Sequence, residues 1–194
     1  MSSDDEFDAL ASPHPFRIDP ELVSWRRRLT ELESSVVAVR QALPDPRDAR
    51  RVWDLQLDCP PISVSSLRHN ASIAASSLVQ IAEIDGIHVG FCVSLPGPKQ
   101  SDPLFIQVIG VAPAAQRRGV AMELLAAAAG VEPHRDIALA TQDGNVAARA
   151  LIARFAQSTN SALDRVNLGT FRDRDLGIRR GMGYRVWRIR RQPS

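Results

Sequence analysis

The chain has 194 residues, of which 44% are hydrophobic and 24% charged, with a formal net charge of +2. These values are typical of one soluble globular domain with a short terminal addition. No apolar run approaches the roughly 20 residues that a membrane-spanning helix needs, and the acidic N-terminus lacks the features of a secretory signal. Cys59 and Cys92 lie far apart without the spacing of a metal site, so we expect reduced thiols, no bound metal and a cytoplasmic protein.

The N-terminal region predicts a flexible lead-in followed by one additional helix. Residues 1–19 are rich in acids, serine and proline, a composition typical of flexible chain. Asp19-Pro20 favours a helix start, and the apolar side chains at helical spacing in this stretch are Leu22, Trp25, Leu29 and Leu32. We therefore divide the chain into an N-terminal segment, 1–34, and a main domain, 35–194. The extra helix is expected to pack on the domain or on a second copy, which makes a homodimer plausible.

The next segments predict a strand, a helix and a loop. The valine-rich stretch 35–42 is predicted to be the first strand, and Asp45 or Asp48 can cap a helix that extends to about Leu57. Two consecutive prolines end this helix. The serine-, asparagine- and histidine-rich residues 59–75 are then expected to form a loop on the substrate side.

The remaining pattern predicts one central sheet with helices packed on it. Asp85-Gly86 joins two apolar runs and favours a tight β-hairpin turn. Further strands are predicted at 78–84, 87–95, 104–111, 137–141 and 184–189. Two further helices are predicted at 118–129 and 145–156. Residues 158–182 are predicted to form a loop or an irregular element. This order indicates an α/β or layered α+β fold.

The stretch from Leu104 to Leu125 carries the most specific chemical signal. A strand ends at Val111, Pro113 prevents its continuation, and a helix begins near Gly119. The first amides of a helix lack intrahelical acceptors and carry partial positive charge, so a pyrophosphate can accept hydrogen bonds from them. Small side chains at Gly119 and Ala121 leave room for that approach. The side chains just before them add donors: Gln116, Arg117 and Arg118.

Two motifs resemble those of the GNAT superfamily of acetyl-coenzyme-A-dependent N-acetyltransferases. The cofactor motif of that family runs Val-x-Pro-x-x-(Gln/Arg)-x-x-Gly-x-(Gly/Ala). This chain matches every fixed position with Val111, Pro113, Gln116, Gly119 and Ala121. Asn145-x-x-Ala148-x-x-Leu151 follows a short strand, as the later motif of the family does. The resemblance covers about residues 35–189 and is strongest over 104–155.

The resemblance implies a fold and a site for acetyl-coenzyme A as co-substrate. The implied fold is a mixed, mostly antiparallel central sheet flanked by helices, here with an extra N-terminal helix. Main-chain groups at Ile109 and Val111 are expected to pair with the pantetheine arm. The pyrophosphate is expected on the amides of Gln116, Arg117, Arg118, Gly119, Val120 and Ala121. Asn145 is expected near the pantetheine or the sulfur and Ile152 at the thiol end, in a slot where the strands ending at Val111 and Thr141 separate.

The proton carriers common in the family differ in this chain. Family members often use a Glu as base, and this chain has Gln107 at that position, which can orient a water but cannot take a proton at neutral pH. A Tyr commonly protonates the leaving thiolate, and Ile152 stands in its place. Tyr184, the only tyrosine, can approach the thiol or serve as a core aromatic. Other titratable candidates, for which structural roles are the simpler interpretation, are Glu83, Asp85, His69 and His88.

These observations favour an N-acetyltransferase that acts on a primary amine of a small molecule, a peptide or a protein. The missing Tyr and Glu leave a second interpretation open, a GNAT-fold acyl-coenzyme-A sensor or interaction module without catalysis. Residues 165–191 contain nine arginines against Asp173 and Asp175. We interpret them as a solvated face, because nucleic-acid binders carry aromatic platforms or a helix-turn-helix signature. The alternating charges of residues 172–175 suit a solvated helix or a substrate-side lid.

Overall fold

The computed structural model describes residues 19–179 and 181–191. In these ranges the chain forms five α-helices: α1 (Pro20–Leu29), α2 (Pro46–Asp58), α3 (Leu67–Ser76), α4 (Val120–Val131) and α5 (Val146–Ser158). It also forms seven β-strands: β1 (Ala38–Gln41), β2 (Leu78–Ile84), β3 (Ile87–Pro96), β4 (Leu104–Val111), β5 (Ile137–Gln142), β6 (Ala162–Val166) and β7 (Tyr184–Arg190). Apart from Asp19, the predicted flexible lead-in lies outside the described residues. No described helix is long and apolar enough to cross a membrane.

All of the described strands belong to one sheet, in the order β1-β2-β3-β4-β5-β7-β6. Neighbouring strands in it are antiparallel except β4 and β5, which are parallel. A parallel pair needs a long crossover connection, and α4 supplies it. The prediction of a mixed, mostly antiparallel sheet flanked by helices is therefore confirmed.

The additional helix α1 begins where the Asp19-Pro20 pair predicts. The Asp19 carboxylate caps the helix by accepting hydrogen bonds from two amides of the first turn, at 3.0 and 3.2 Å. Trp25 and Leu29 are buried in the main core. The Trp25 indole also donates to the main-chain oxygen of His88 at 3.0 Å. The apolar face of α1 therefore packs on the sheet of its own chain.

The prediction of a loop at 59–75 is wrong over its second half, where the chain forms α3. Ser66 caps this helix, because its hydroxyl accepts a hydrogen bond from the His69 amide at 3.2 Å. Polar residues of the segment turn inward. The side-chain amides of Asn70 and Gln56 exchange two hydrogen bonds of 3.1 Å. This buried pair joins α3 to α2.

The prediction of a loop or irregular element at 158–182 is wrong near its start, where the chain forms β6. This strand pairs antiparallel with β7, and Val166 lies opposite Val186. The part that follows, residues 167–178, folds back over the sheet, and we call it the covering segment. Its Leu176 is 1% exposed and packs in a second core cluster with Phe105 and Val186. The face of β5 and β7 that carries Ala138 and Val186 is therefore covered by irregular chain, whereas their opposite face packs in the main core with α5.

A close contact between α4 and β3 sets the position of the helix start. A Cβ at Gly90 would lie 2.9 Å from the Val120 side chain and 3.1 Å from that of Leu124, so only glycine permits this approach. Val120 and Leu124 are themselves at most 1% exposed. The first turn of α4 is thus fixed against the sheet, close to the end of β4.

Candidate functional site

The strands β4 and β5 separate in the middle of the sheet. Their parallel pairing is limited to three residue pairs and ends at Ile106 and Leu139. Because β4 continues to Val111 and β5 to Gln142, the facing edges of the two strands have no strand partner beyond that point. The separation lies where the resemblance implies a cofactor slot, and unpaired backbone groups of this kind can bind an extended ligand.

The loop between β4 and α4 turns sharply, and the amides of its second half are unpaired. A 3₁₀ turn at Pro113–Ala115 follows the strand, Arg117 has a φ of +65° and Gly119 a φ of +84°, and α4 begins at Val120. No described residue accepts a hydrogen bond from the amides of residues 117–121. Consecutive N–H groups therefore lie unpaired at the positive end of a helix dipole, which is a favourable place for an anion.

The predicted binding residues of this loop leave space beside the amides. Gln116 and Arg117 are exposed, and Arg117 forms no ion pair within the part of the chain that the structure describes. A Cβ at Gly119 would meet no atom within 4 Å, so the space next to the helix start is open. Val120 is buried against the sheet and Ala121 is half-buried, so neither side chain obstructs the amides.

The side chain of Arg118 does not point into this space. Its guanidinium donates to the main-chain oxygens of Leu32, at 3.3 Å, and Ser34, at 3.1 Å. Both acceptors lie in the linker between α1 and β1. The guanidinium of Arg118 is thus bonded to the linker, while its backbone amide belongs to the unpaired row.

Ile109 and Val111 lie on β4 beyond the point where β5 leaves it. Both residues are half-buried, and their partners on β3 are Cys92 and Gly90. The opposite edge of β4 faces the strand separation. The structure therefore brings both predicted residues to the slot, with the unpaired amides of the loop at its end.

Asn145 and Ile152 lie on the other side of the slot, at the start and in the middle of α5. Asn145 caps the helix, and its Oδ1 accepts a hydrogen bond from the Ala148 amide at 2.9 Å. Ile152 is only 1% exposed. It borders an open, largely apolar groove of about 410 Å³ between α5 and the β6–β7 edge, together with Val146, Arg149, Ala150, Ala153, Leu163 and Trp187. Contact of either residue with a cofactor stays a prediction.

Gln107 lies at a β-bulge near the start of the separation. The register of β3 against β4 shifts between Val93 and Ser94, which leaves Gln107 as the extra residue on β4. Its Nε2 donates to the main-chain oxygens of Arg174 and Asp175, both at 3.1 Å. The side-chain amide thus holds the covering segment against the bulge.

Tyr184 begins β7 opposite Gln142 and is half-buried. It lines a second, more polar hollow of about 240 Å³, together with Arg165, Val166, Asn167, Leu168, Arg185 and Val186. Its hydroxyl forms no hydrogen bond to another residue of 19–179 or 181–191. Tyr184 and Ile152 therefore border different hollows, and the structure does not bring them into one.

His88 has structural partners that the sequence does not reveal. Its Nε2 lies 3.2 Å from Asp54 Oδ2, and its ring stacks on Trp25 with the centroids 4.8 Å apart. His69 is exposed near the start of α3. Because the partners of His88 are 34 and 63 residues away, only the fold brings them together.

The acids of the β2–β3 hairpin are also paired. Glu83 accepts a hydrogen bond from Arg40 at 3.2 Å, and Asp85 accepts hydrogen bonds from the amides of Glu33 and Ser34. These contacts support the structural interpretation of both acids over a role as catalytic base.

The two cysteines are unsuited to nucleophilic catalysis. Burial raises the pKa of Cys59 to about 11, with a smaller contribution from Asp58, and it raises the pKa of Cys92 to about 12. Both thiols are therefore protonated at neutral pH, and the thiolate is the reactive form. Within the described residues, no group of His, Cys, Asp and Glu is arranged to hold a metal ion.

Solved structures with the same architecture include acetyltransferases. Diaminobutyrate acetyltransferase EctA from Paenibacillus lautus, in complex with L-2,4-diaminobutyric acid and coenzyme A, matches with a TM-score of 0.63 and 22% identity over 80% of this chain and 95% of its own. The ribosomal-protein-S18-alanine N-acetyltransferase of Escherichia coli matches with a TM-score of 0.60 and 12% identity, over 82% and 97%. Ard1 from Thermoplasma volcanium matches with a TM-score of 0.55 and 16% identity, over 79% and 97%.

At these identities the likeness shows the fold, and the family follows from the sequence itself. No curated protein gives a significant sequence match. The sequence model of the acetyltransferase (GNAT) family, however, matches residues 42–156. This match covers more than half of the chain and includes the strand separation, the loop of unpaired amides and most of α5. The chain therefore belongs to the GNAT family of acetyltransferases.

Proposed function

We propose that this protein transfers an acetyl group from acetyl-coenzyme A to a primary amine of a small molecule, a peptide or a protein. The observation that carries the proposal is the row of unpaired amides at residues 117–121, at the start of α4 and beside the separation of β4 and β5. Such a helix start favours an anionic ligand. Membership of an acetyltransferase family supports acetyl transfer as the activity.

The chemistry of the site fits coenzyme A. The unpaired amides suit its pyrophosphate, and exposed Arg117 adds a cation beside them. The free edge of β4 at Ile109 and Val111 suits the amide groups of the pantetheine arm, which can bind as an added strand does. We assign Asn145 and Ile152, on the far side of the slot, to the region of the sulfur.

In the proposed reaction the acceptor nitrogen attacks the thioester carbonyl carbon and the carbon–sulfur bond breaks. The nitrogen loses a proton and the sulfur gains one. We assign proton transfer to Tyr184, which is the only tyrosine and whose hydroxyl has no hydrogen-bond partner among the described residues. This role requires the side chain to move from the hollow that it lines toward the sulfur region beside Ile152. The amide of Gln107 cannot carry a proton at neutral pH. Its assigned role is to hold the covering segment beside the reaction centre.

Two measurements test the proposal. Isothermal titration with acetyl-coenzyme A measures binding, and thiol release with a panel of amines measures transfer. The panel includes L-2,4-diaminobutyric acid and a peptide that begins with alanine, because two of the similar enzymes are named for such acceptors. Binding together with amine-dependent thiol release supports the proposal, and Tyr184→Phe should then lower kcat without weakening acetyl-coenzyme A binding.

Two outcomes contradict it. No binding at high micromolar acetyl-coenzyme A removes the basis of the proposal. Tight binding without thiol release for any amine identifies the chain instead as an acyl-coenzyme-A-binding module that lacks catalysis.

A further inference from the structure

The linker between α1 and β1 is held from two sides. On one side, the Arg118 guanidinium donates to the main-chain oxygens of Leu32, at 3.3 Å, and Ser34, at 3.1 Å. On the other side, Asp85 Oδ2 accepts hydrogen bonds from the amides of Glu33, at 3.1 Å, and Ser34, at 3.0 Å. We call these four hydrogen bonds the linker clamp.

The linker is also anchored to the rest of the domain, so Arg118 bonds to a well-supported segment. Leu32 is 7% exposed and belongs to the main core. The helix before it is fixed by Trp25, which stacks on His88 and donates to its main-chain oxygen. At its N-terminal end, Asp19 forms an ion pair with Arg50 at 2.5 Å.

Asp85 supports the linker without taking part in the loop of unpaired amides. It occupies the first position of the two-residue turn between β2 and β3, with a φ of +53°, and Gly86 follows with a φ of +71°. A turn of this type fixes the direction of the Asp85 side chain. Any influence of Asp85 on the loop must therefore pass through the linker and Arg118.

Arg118 occupies the part of the loop that needs external support. It lies between Arg117 and Gly119, which both have positive φ values, and its own amide belongs to the unpaired row. The first half of the loop is closed by amide hydrogen bonds from Ala115 and Gln116, but residues 117–119 have none. A stretch without such bonds has many accessible conformations, and ordering it opposes ligand binding. The two hydrogen bonds of the guanidinium restrict the loop from outside.

We propose that Arg118 is a positioning residue of the cofactor site, and that α1 and the linker form part of that site by holding the loop in place. This inference rests on the proposed binding of acetyl-coenzyme A. It assigns the side chain of Arg118 to the linker and leaves phosphate binding to the backbone amides and to Arg117. The N-terminal helix then contributes to cofactor affinity through preorganisation of the loop.

Titration with coenzyme A on single and double variants tests this assignment. We expect Arg118→Ala to weaken binding about tenfold and Asp85→Gly about fivefold, a range typical of coupling between sites. The double variant should lose little more than Arg118→Ala alone, because both changes remove the same support. Arg118→Lys keeps the charge but cannot donate in a fork to two oxygens, so it should recover only part of the affinity.

Ionic strength distinguishes positioning from direct phosphate binding. Arg117→Ala is the matched control, because Arg117 is an exposed cation of the same loop without a linker contact. Its loss should reduce the salt dependence of coenzyme A binding, whereas Arg118→Ala should leave that dependence unchanged. Reduced salt dependence in Arg118→Ala, or unchanged affinity in Asp85→Gly, overturns the proposal.

Hydrogen exchange gives a readout that a general loss of stability does not reproduce. Coenzyme A should slow exchange of the Glu33 and Ser34 amides in the unmodified protein but not in Arg118→Ala, because coupling between two sites is reciprocal. Asp85→Asn, which keeps an acceptor oxygen and suits the turn, should behave as the unmodified protein does. Unfolding midpoints without ligand verify that each variant folds. Failure of the unmodified protein to bind coenzyme A is a separate result, and it contradicts the proposed function itself.

Discussion

Gly119 holds the backbone in a conformation that other residues adopt only at a cost. Its φ is +84°, and an added Cβ would meet no atom within 4 Å. Conformation, and not crowding, therefore requires glycine here. Its carbonyl accepts hydrogen bonds from the amides of Met122 and Glu123, at 2.9 and 3.1 Å. The residue thus links the turn of the loop to the first hydrogen bonds of α4.

We expect Gly119→Ala to bind acetyl-coenzyme A about tenfold more weakly and to lower the free energy of unfolding by about 1 kcal/mol, because an L-residue resists the left-handed region. Titration and urea unfolding measure the two effects. Gly130→Ala is the matched control, since Gly130 lies near the end of α4 with open space around an added methyl group. It should gain about 0.5 kcal/mol in stability and keep its affinity. Equal affinities in the two variants would exclude the loop as the pyrophosphate site.

At the scale of single residues, the sequence predicts those conformations and caps that depend only on residues nearby in the sequence. The helix start at Asp19-Pro20 follows from local backbone chemistry, and the structure has it. The orientation of Arg118 does not, because its acceptors lie 84 and 86 residues away. The motif places this arginine beside a phosphate, and only the packing of α1 shows that its guanidinium turns away.

Asp48 joins β1, α2 and the turn between them. It is 3% exposed and accepts hydrogen bonds from Arg40 and Arg51 at 2.7 Å and from the Leu43 amide at 2.8 Å. Burial by itself would raise the pKa of Asp48, but these hydrogen bonds outweigh it and hold the pKa below its usual range. The ionised carboxylate is therefore the form that stabilises this corner of the domain.

We expect Asp48→Asn to lower the free energy of unfolding at pH 7 by about 2 kcal/mol, because it removes a buried carboxylate that accepts charged hydrogen bonds from two half-exposed arginines. Below about pH 4 the unfolded carboxyl takes up its proton before the folded one does, so the contribution of Asp48 is present above that pH and is lost below it. Urea unfolding as a function of pH should show a steeper acid loss in the unmodified protein than in the variant.

Glu31→Ala provides the control for a surface charge. Glu31, in the turn after α1, lies 3.9 Å from Arg27 in an exposed pair, and such pairs contribute about 0.5 kcal/mol or less. A loss in Asp48→Asn as small as that in Glu31→Ala would show that burial does not strengthen the Asp48 cluster.

At the scale of elements, apolar periodicity predicts α4 and α5 within a few residues, whereas α3 and β6 are missed. Asn70 looks like a loop residue in the sequence, yet it is 3% exposed and bonded to Gln56 inside the domain. A pattern that treats polar residues as solvated cannot detect such a pair. β6 is a short edge strand that carries Asp164 and Arg165, and it becomes a strand only because β7 returns beside it.

At the scale of the whole molecule, the two faces of the sheet around β5 are covered differently. Alternate residues of β5 point to the main core, which includes α5, and to the second cluster, which lies on the opposite face under the covering segment. Phe171 of that segment packs edge to face on Phe105, with the ring centroids 5.3 Å apart. A Cβ at Gly177 would lie only 3.1 Å from the Cβ of Gln107. The covering segment therefore packs directly against β4 at its bulge.

This arrangement predicts the effect of restoring the acid that is common in the family at position 107. In Gln107→Glu both hydrogen bonds to the Arg174 and Asp175 carbonyls are lost, and an acceptor-only carboxylate faces two acceptor oxygens. We expect amine-dependent turnover to fall about tenfold, because the loss of two hydrogen bonds and the added repulsion release the covering segment from the β4 bulge. Acetyl-coenzyme A affinity should be unchanged, and trypsin should cleave faster after Arg172 and Arg174.

Gln107→Ala separates the two contributions, because it loses the same hydrogen bonds without adding a charge. It should show a smaller fall in turnover and a smaller gain in cleavage. The opposite result is equally informative. If Gln107→Glu raises turnover, and the rate increases with pH as the new carboxyl ionises, then position 107 faces the acceptor amine and a base there improves the enzyme. The covering segment would in that case have to leave the bulge during catalysis, because the hydrogen bonds of Gln107 close it in this structure.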